Sequence, residues 1–262
     1  MDMLSTIKGS YFEEILPKGW DLNRIKECVS NEPEKYSERQ PHWNNNFKPV
    51  PCDNLEEFGA VMGHEIAMQI KLAKEEGRKL ILILPVGPMG MYKWAVYFLK
   101  SWNVDCKHVY GFNMDEWSDA EGNTLPASDP AAFQNAMAKA FYGPLGDLAI
   151  PPEQRNFATK ENLPLYAGKI ASLKEKGAKQ VLVYGIGRVC HIAFWEPHFA
   201  DEYKTVEDWM KASHRIGARL HPLTIEQNAI TSFRSNWTLI PCYANTIGPN
   251  IIFGSDFAIG GA

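Results

Sequence analysis

The chain has no cysteine pair at CxxC spacing, and its five cysteines, at positions 28, 52, 106, 190 and 242, are an odd number. Neither a zinc site nor a closed disulfide framework is expected, and the thiols read as reduced. No Gly-Lys-Ser/Thr sequence occurs, which removes the Walker loop and with it ATP as a phosphoryl donor. The most apolar stretch, Leu80-Ile-Leu-Ile-Leu84, is far short of the roughly 20 residues a helix needs to cross a bilayer. Residues 1–20 carry an acidic pair and no apolar core of the kind a secretory signal has. Charge is balanced, with 27 basic against 31 acidic residues and a net charge of -4, so there is no electrostatic footprint for a nucleic acid or an anionic membrane. A cytoplasmic protein without nucleic-acid or membrane partners is expected.

What is present is a large apolar fraction: 45% of 262 residues can bury a sizeable core. From Ser30 to Asn54 the sequence is rich in Pro, Asn, Glu and Lys, and reads as an irregular segment. It divides an N-terminal extension, residues 1–54, expected to pack on the rest, from a main domain, residues 55–262. Asn54 followed by Glu57 is a capping-box start, and Phe58, Val61, Met62, Ile66 and Leu72 keep one apolar face, so residues 55–76 are expected as a helix. Residues 79–84 form a continuous apolar run, as in a strand buried on both faces, and end in the turn Pro85-Val-Gly-Pro-Met-Gly90. A helix over 91–101 follows. Further strands are expected at 107–113, 180–184 and 250–253, with helices from an Asp129-Pro130 start through Phe133, Met137 and Phe141, and over 162–176.

Strands alternating with helices imply a modified Rossmann-like α/β fold, a mostly parallel sheet with helices on both faces. Ligands of such sheets sit beyond the carboxyl ends of the strands. That rule selects the turn at 85–90, Asp115 and Glu116, the 185–196 loop and Gly254-Ser255-Asp256. Gly185-Ile-Gly187-Arg-Val-Cys190 opens like a dinucleotide fingerprint but has Cys190 where the third glycine belongs, so a nicotinamide cofactor is not expected. Asp115 and Glu116 lie just past a strand end; His191 and Glu196 lie on another strand-end loop. A carboxylate beside a carbonyl-bearing substrate can move a proton between adjacent carbons, and a histidine oriented by a second carboxylate can open a sugar ring by proton exchange with the ring oxygen. Trp117 and Trp195 flank these carboxylates as core residues or as apolar walls for a sugar face. His198, His214 and His221 read as solvated or structural. Cys190 beside His191 lacks a third group to orient it as a nucleophile.

The segments Leu84-Pro-Val-Gly-Pro-Met-Gly-Met-Tyr-Lys93, Phe112-Asn-Met-Asp-Glu116 and Gly185-Ile-Gly187 through His191-Ile-Ala-Phe-Trp-Glu-Pro197, taken in order, resemble the glucosamine-6-phosphate deaminase/isomerase family, whose relatives include 6-phosphogluconolactonases. Weaker likeness at Ala218-Arg-Leu-His-Pro-Leu-Thr224 and Phe253-Gly-Ser255 extends it over residues 55–256. The resemblance implies ring opening by His191 supported by Glu196, proton transfer between C1 and C2 by Asp115 with Glu116 beside it, and release of ammonia, without metal or organic cofactor. Its substrate contacts would fall at Gly87, Arg188, Trp195, Arg219, Arg234 and Ser255. The partner is then a small sugar or sugar phosphate, and homo-oligomerisation is compatible with the pattern.

The departures are specific. The family's aspartate two residues before the histidine is Val189 here; the phosphate loop is shortened to Val86-Gly87-Pro88; a lysine expected after Gly-Ser is replaced within Asp256-Phe257-Ala258; and the arginine expected at Phe233 stands one place later, at Arg234. They favour aldose-ketose isomerisation of an amino-sugar or hexose phosphate, with or without deamination, and leave two alternatives: isomerisation of an unphosphorylated sugar, and a catalytically decayed sugar-binding or regulatory homologue.

Overall fold

A computed structural model describes residues 2–30 and 43–261. The expected irregular segment therefore falls partly, at 31–42, outside the described residues; the described part, 43–54, is made of turns and bends. The chain divides into two compact units, Met1–Phe58 and Gly59–Ala262. The first holds a 3-10 turn, Met3–Thr6, and two helices, α1 (Tyr11–Ile15) and α2 (Leu22–Ser30), so Ser30 ends a helix instead of opening a loop. Helix α3 (Leu55–Glu75) begins at the expected cap: Asn54 Oδ1 accepts from the backbone N–H of Glu56 and Glu57, and Glu57 reaches back to the N–H of Asp53 at 2.7 Å.

In the second unit β1 (Leu80–Leu84) is buried at every residue. It leads through the 85–90 turn to α4 (Gly90–Ser101), then β2 (Val109–Asn113) and β3 (Asp115–Ser118). A helical stretch follows: α5 (Phe133–Met137), a π-helical turn at Ala138–Tyr142 and α6 (Gly143–Leu145). The chain continues through β4 (Arg155–Asn156), α7 (Tyr166–Glu175), β5 (Lys179–Gly185), α8 (Val206–Lys211), β6 (His214–Arg219), α9 (Pro222–Thr231), β7 (Tyr243–Ile247), α10 (Pro249–Phe253) and β8 (Phe257–Gly261). Five strands form one parallel sheet in the order β4-β2-β1-β5-β8. Its two faces are covered differently. Ile81, Ile83, Phe112 and Leu182 pack with Tyr166, Ile170 and Ile251 from α7 and α10, whereas a Cβ at Gly111 would meet Tyr142, Ile150 and Leu84. Each fully buried Leu, Ile or Phe contributes about 1.5–3 kcal/mol, so this two-sided burial is what β1 is composed for.

The structure corrects the sequence reading in three further places. Residues 250–253 are helix, not strand: Pro249 takes a first-turn position, where its missing N–H costs nothing, and the fourth long strand of the sheet is Phe257–Gly261. Asp129-Pro130 makes a turn, with Asp129 Oδ1 accepting from the N–H of Ala131, and the helix starts three residues later than Pro130, at Phe133. Asp115 and Glu116 lie in a strand, not a loop. That strand belongs to a second, antiparallel sheet, β3-β7-β6, whose segments carry no alternation strong enough to announce it.

Candidate active site

The two sheets meet at Met114. Its N–H donates to the carbonyl of Leu84 at the end of β1, and its carbonyl accepts from Ile247 at the end of β7. This splice carries the chain from the carboxyl edge of the parallel sheet straight into β3, so Asp115 is the first residue past the edge and pairs with Thr246. Only 7% of Asp115 is exposed, and among the described residues nothing hydrogen-bonds its carboxyl. Burial, with the neighbouring Glu116 charge adding to it, raises its pKa well above the ordinary carboxylate range.

Glu116 points the other way, as successive strand residues must. Its carboxylate accepts from the backbone N–H groups of Trp117 (3.0 Å), Phe133 (2.9 Å) and Gln134 (2.9 Å), capping the open end of α5. Burial raises its pKa, and these three donors oppose the rise. The sequence reading set Glu116 beside Asp115 in catalysis; its lone pairs are committed to a helix end instead, because strand geometry separates the two carboxylates.

The second pair is built by a tight loop after β5. The N–H of Gly187 donates to the carbonyl of His191, that of Cys190 to the carbonyl of Gly187, and Cys190 and Ala193 sit at φ 59 and 55. The imidazole lies on Gly187: a Cβ added there would stand 2.0 Å from His191 Nε2. Its Nδ1 is 2.9 Å from Oε2 of Glu196, which is wholly buried. Two residues absent from the sequence-derived site complete the carboxylate's shell: the N–H of His221 donates to Oε1 (3.1 Å) and the Thr224 hydroxyl to Oε2 (3.2 Å). Burial of Glu196 works to raise its pKa, but the hydrogen bond and charge of His191, with the donors from His221 and Thr224, outweigh it and hold the carboxyl below its usual value. A carboxylate accepting at Nδ1 fixes the proton on that nitrogen and leaves Nε2 with the lone pair.

The loop is tied to the second sheet where Asp115 begins. The N–H of Phe194 donates to Thr246 Oγ1 at 3.0 Å, and Thr246 is the strand partner of Asp115. The Phe194 ring stands 6.1 Å from the His191 ring and 4.8 Å from Trp117. The structure thus brings Asp115 and the His191–Glu196 pair to the same edge, from the ends of β2 and β5. The signal for His221 and Thr224 was legible as a helix start, an N-cap followed by Pro222, but nothing local in it names Glu196 as the group it serves.

The remaining expected contacts scatter. Gly87, at φ 120, has its carbonyl 3.2 Å from where a Gly185 Cβ would be, so the turns after β1 and β5 touch. Arg188 is held by α9, with Nε 2.7 Å from Gln227 Oε1 and a 3.1 Å ion pair to Glu226. Arg219 and Arg234 are exposed. Trp195 is buried against Phe199 and Ala218 in a cluster of its own, a core residue, not a sugar wall. Trp117 is likewise core, 1% exposed. Ser255 is displaced altogether: it accepts from Gln180 at the start of β5, so the Gly254-Ser255-Asp256 turn lies at the amino edge of the sheet. Asp256 there pairs with Lys174 at 3.2 Å and faces no ligand edge. The cause is the misread strand: once 250–253 is helix, the turn after it precedes β8. Val189 is buried, and its isopropyl group cannot hydrogen-bond His191. A groove of about 550 Å³ beside β2 and α7, lined by Tyr110, Phe112, Asn156 and Lys169, includes none of these residues. Among the described residues no cluster of His, Cys, Asp and Glu could hold a metal ion, and no helix is long and apolar enough to cross a membrane.

No family model matches the chain. Curated relatives do: glucosamine-6-phosphate deaminase of Aliivibrio fischeri (strain MJ11) is 27% identical over 218 residues, 79% of this chain and 73% of that protein. Its counterpart in Yersinia pestis (strain Pestoides F) is 28% identical over the same shares. Among solved structures, a monomeric glucosamine-6-phosphate deaminase superposes with a TM-score of 0.61 at 21% identity, covering 80% of this chain and 79% of that one. The 6-phosphogluconolactonase from Trypanosoma cruzi gives 0.53 at 18% identity, over 82% and 80% of the two chains. With its parallel sheet, its Asp115 edge and its His191–Glu196 loop in the same order, the chain is similar to the glucosamine-6-phosphate deaminases and shares a fold with them and with the 6-phosphogluconolactonases.

Proposed function

We propose that the protein catalyses aldose-ketose isomerisation of an amino-sugar or hexose phosphate, with ammonia release as a weaker second outcome. The observation that carries this reading is the His191–Glu196 pair, closed at 2.9 Å and fully shielded on the carboxylate side, on the same sheet edge as the unpartnered carboxyl of Asp115. His191 takes the anomeric hydroxyl proton at Nε2 and returns it to the ring oxygen, opening the sugar, while Glu196 stabilises the transient imidazolium. Asp115, when ionised, removes the C2 proton and delivers it to C1, while the proton of the C2 hydroxyl or amine passes to O1 as the double bond shifts. The similarity to glucosamine-6-phosphate deaminases supports the substrate class. Residues 1–54 stand as an accessory extension to a sugar-acting domain over 55–262, in a cytoplasmic protein; a homo-oligomer remains compatible with this reading.

A second reading, a homologue that binds sugar without turning it over, is favoured by Val189, buried where the family pattern has an aspartate. The engagement of Arg188 by Glu226 likewise favours a sugar without phosphate. Incubation with glucosamine 6-phosphate, hexose phosphates and their free forms in heavy water separates these. Deuterium entering at C2, abolished by Asp115→Asn, is expected; binding without exchange on any sugar refutes the isomerase, and calorimetry with the phosphorylated and free forms decides the phosphate.

A further inference from the structure

We infer that Thr224 is a positioning residue for the His191–Glu196 pair, its hydroxyl and the His221 N–H together holding Glu196 in place of the aspartate absent at 189. The inference rests on the reading above, in which that pair opens a sugar ring. Glu196 Oε2 is shared between His191 Nδ1 at 2.9 Å and Thr224 Oγ1 at 3.2 Å, and Oε1 takes the His221 N–H at 3.1 Å. Thr224 is 1% and Glu196 0% exposed, so water does not compete for these lone pairs.

The donors are themselves fixed. Thr224 N–H donates to the His221 carbonyl, the Thr224 carbonyl accepts from Asn228 at 3.0 Å, and Leu223 N–H donates to His221 Nδ1 at 3.2 Å. These contacts form the first turn of α9, ten residues long, whose amino end faces the carboxylate with its positive pole. A hydroxyl with one proton, aimed at Oε2 from a rigid turn, leaves that oxygen a single direction in which to meet Nδ1. In the family pattern a carboxylate at 189 could act on the histidine directly; here Val189 is apolar, and orientation has to come through Glu196. The charged and titratable groups around the carboxylate are His191 and His198 on its own segment, His221 at the head of α9, and Arg215 and Arg219 on β6 beyond His198.

The test compares Thr224→Val with Thr224→Ser. The pH titration of the His191 ring is followed by nitrogen-15 NMR in sugar-free protein, and the pH profile of C2 exchange is measured beside it. Without the Thr224 hydroxyl the charge on Glu196 Oε2 is less neutralised and holds the proton on Nδ1 more tightly, so Thr224→Val is expected to raise the NMR midpoint of the ring by about one pH unit, a tenfold change in the protonated fraction. Thr224→Ser should restore the wild-type midpoint. If Thr224→Val does not fold, Thr224→Ala takes its place. A wild-type midpoint in the variant lacking the hydroxyl, or a serine variant that behaves like valine, overturns the inference, since the side chain would then serve packing alone. If the NMR midpoint moves as expected while even the wild type exchanges no sugar proton, Thr224 positions the pair and the isomerase reading is the one that fails.

Discussion

Replacing Asp115 by asparagine should stabilise the protein, and by an amount that grows with pH. The carboxyl is 7% exposed, has no hydrogen-bond donor among the described residues and sits next to Glu116 in sequence; burial and that neighbour both raise its pKa. In the unfolded chain an aspartate ionises near 3.9. The native state therefore keeps a proton that the unfolded state has lost. A raised folded-state pKa contributes stability that is fully present below about pH 3.9 and is lost as pH climbs toward the folded value. Each unit of that climb costs the wild type about 1.4 kcal/mol, and asparagine, which never ionises, costs nothing further. For a domain of this size 1 kcal/mol is worth about 2–4 °C in melting temperature. The gap between the two proteins should thus widen by about 3–5 °C per pH unit until the folded-state value is passed.

Calorimetric melts of both proteins from pH 5 to 8 measure this, provided the other carboxylates titrate alike in each. Melting curves that stay parallel across the range would show that Asp115 is solvated or paired, and would remove the physical basis for calling it a base kept in an apolar site. The same variant tests the chemistry independently, through loss of C2 exchange. Stability gained where activity is lost is the signature of a group retained for function.

Gly187→Ala should abolish exchange, because the added methyl would stand 2.0 Å from His191 Nε2 and the ring must leave its place; a retained rate, read in heavy water, would mean that the ring is not held there. Glu116→Gln should lower stability by about 1–3 kcal/mol, since a buried amide cannot accept from three backbone N–H groups as the carboxylate does, while the folded fraction still exchanges protons; denaturant titration beside the exchange assay separates the two effects. Ser255→Ala should leave sugar affinity unchanged by calorimetry, as the hydroxyl serves Gln180 at the far edge of the sheet, and a weakened affinity would place the substrate elsewhere.

How far the sequence carried the structure depends on the element. β1 was legible because five successive apolar residues can be accommodated only where both faces are covered, and α3 because cap and stripe agree. The antiparallel sheet was not, since Asp115–Ser118 is entirely buried and Tyr243–Ile247 nearly so, which erases the period of two that would have marked them. The short run at 250–253 suits helix or strand equally by period, and only Pro249 before it argues for the helix. Within the candidate site, Asp115, His191 and Glu196 could be singled out from the sequence because their residue types and strand-end positions agree. Glu116 was misplaced because adjacency in sequence is opposition in a strand. Thr224 was overlooked because its partner is 28 residues away and the hydrogen bond exists only once the loop and α9 have folded together.

The departures at 189 and around the arginines act on different steps of the chemistry. Enolisation needs an opened carbonyl and a base beside C2, the two roles proposed for the His191–Glu196 pair and for Asp115. Ammonia release needs more, because the leaving nitrogen must receive a proton as it departs, from an acid held in register with the forming double bond. In the family pattern a carboxylate at 189 could stabilise the protonated histidine at that moment. Val189, 2% exposed, can neither hydrogen-bond the ring nor stabilise a positive charge on it, and Thr224 reaches Glu196 Oε2, not the ring itself. A positioned acid-base group is worth about 10²–10⁴-fold in rate. In the proposed isomerase that loss would fall on the step that demands protonation of nitrogen and would spare proton transfer between carbons. On the proposed reading, the residues that remain would form a set sufficient for isomerisation, with deamination the step that suffers.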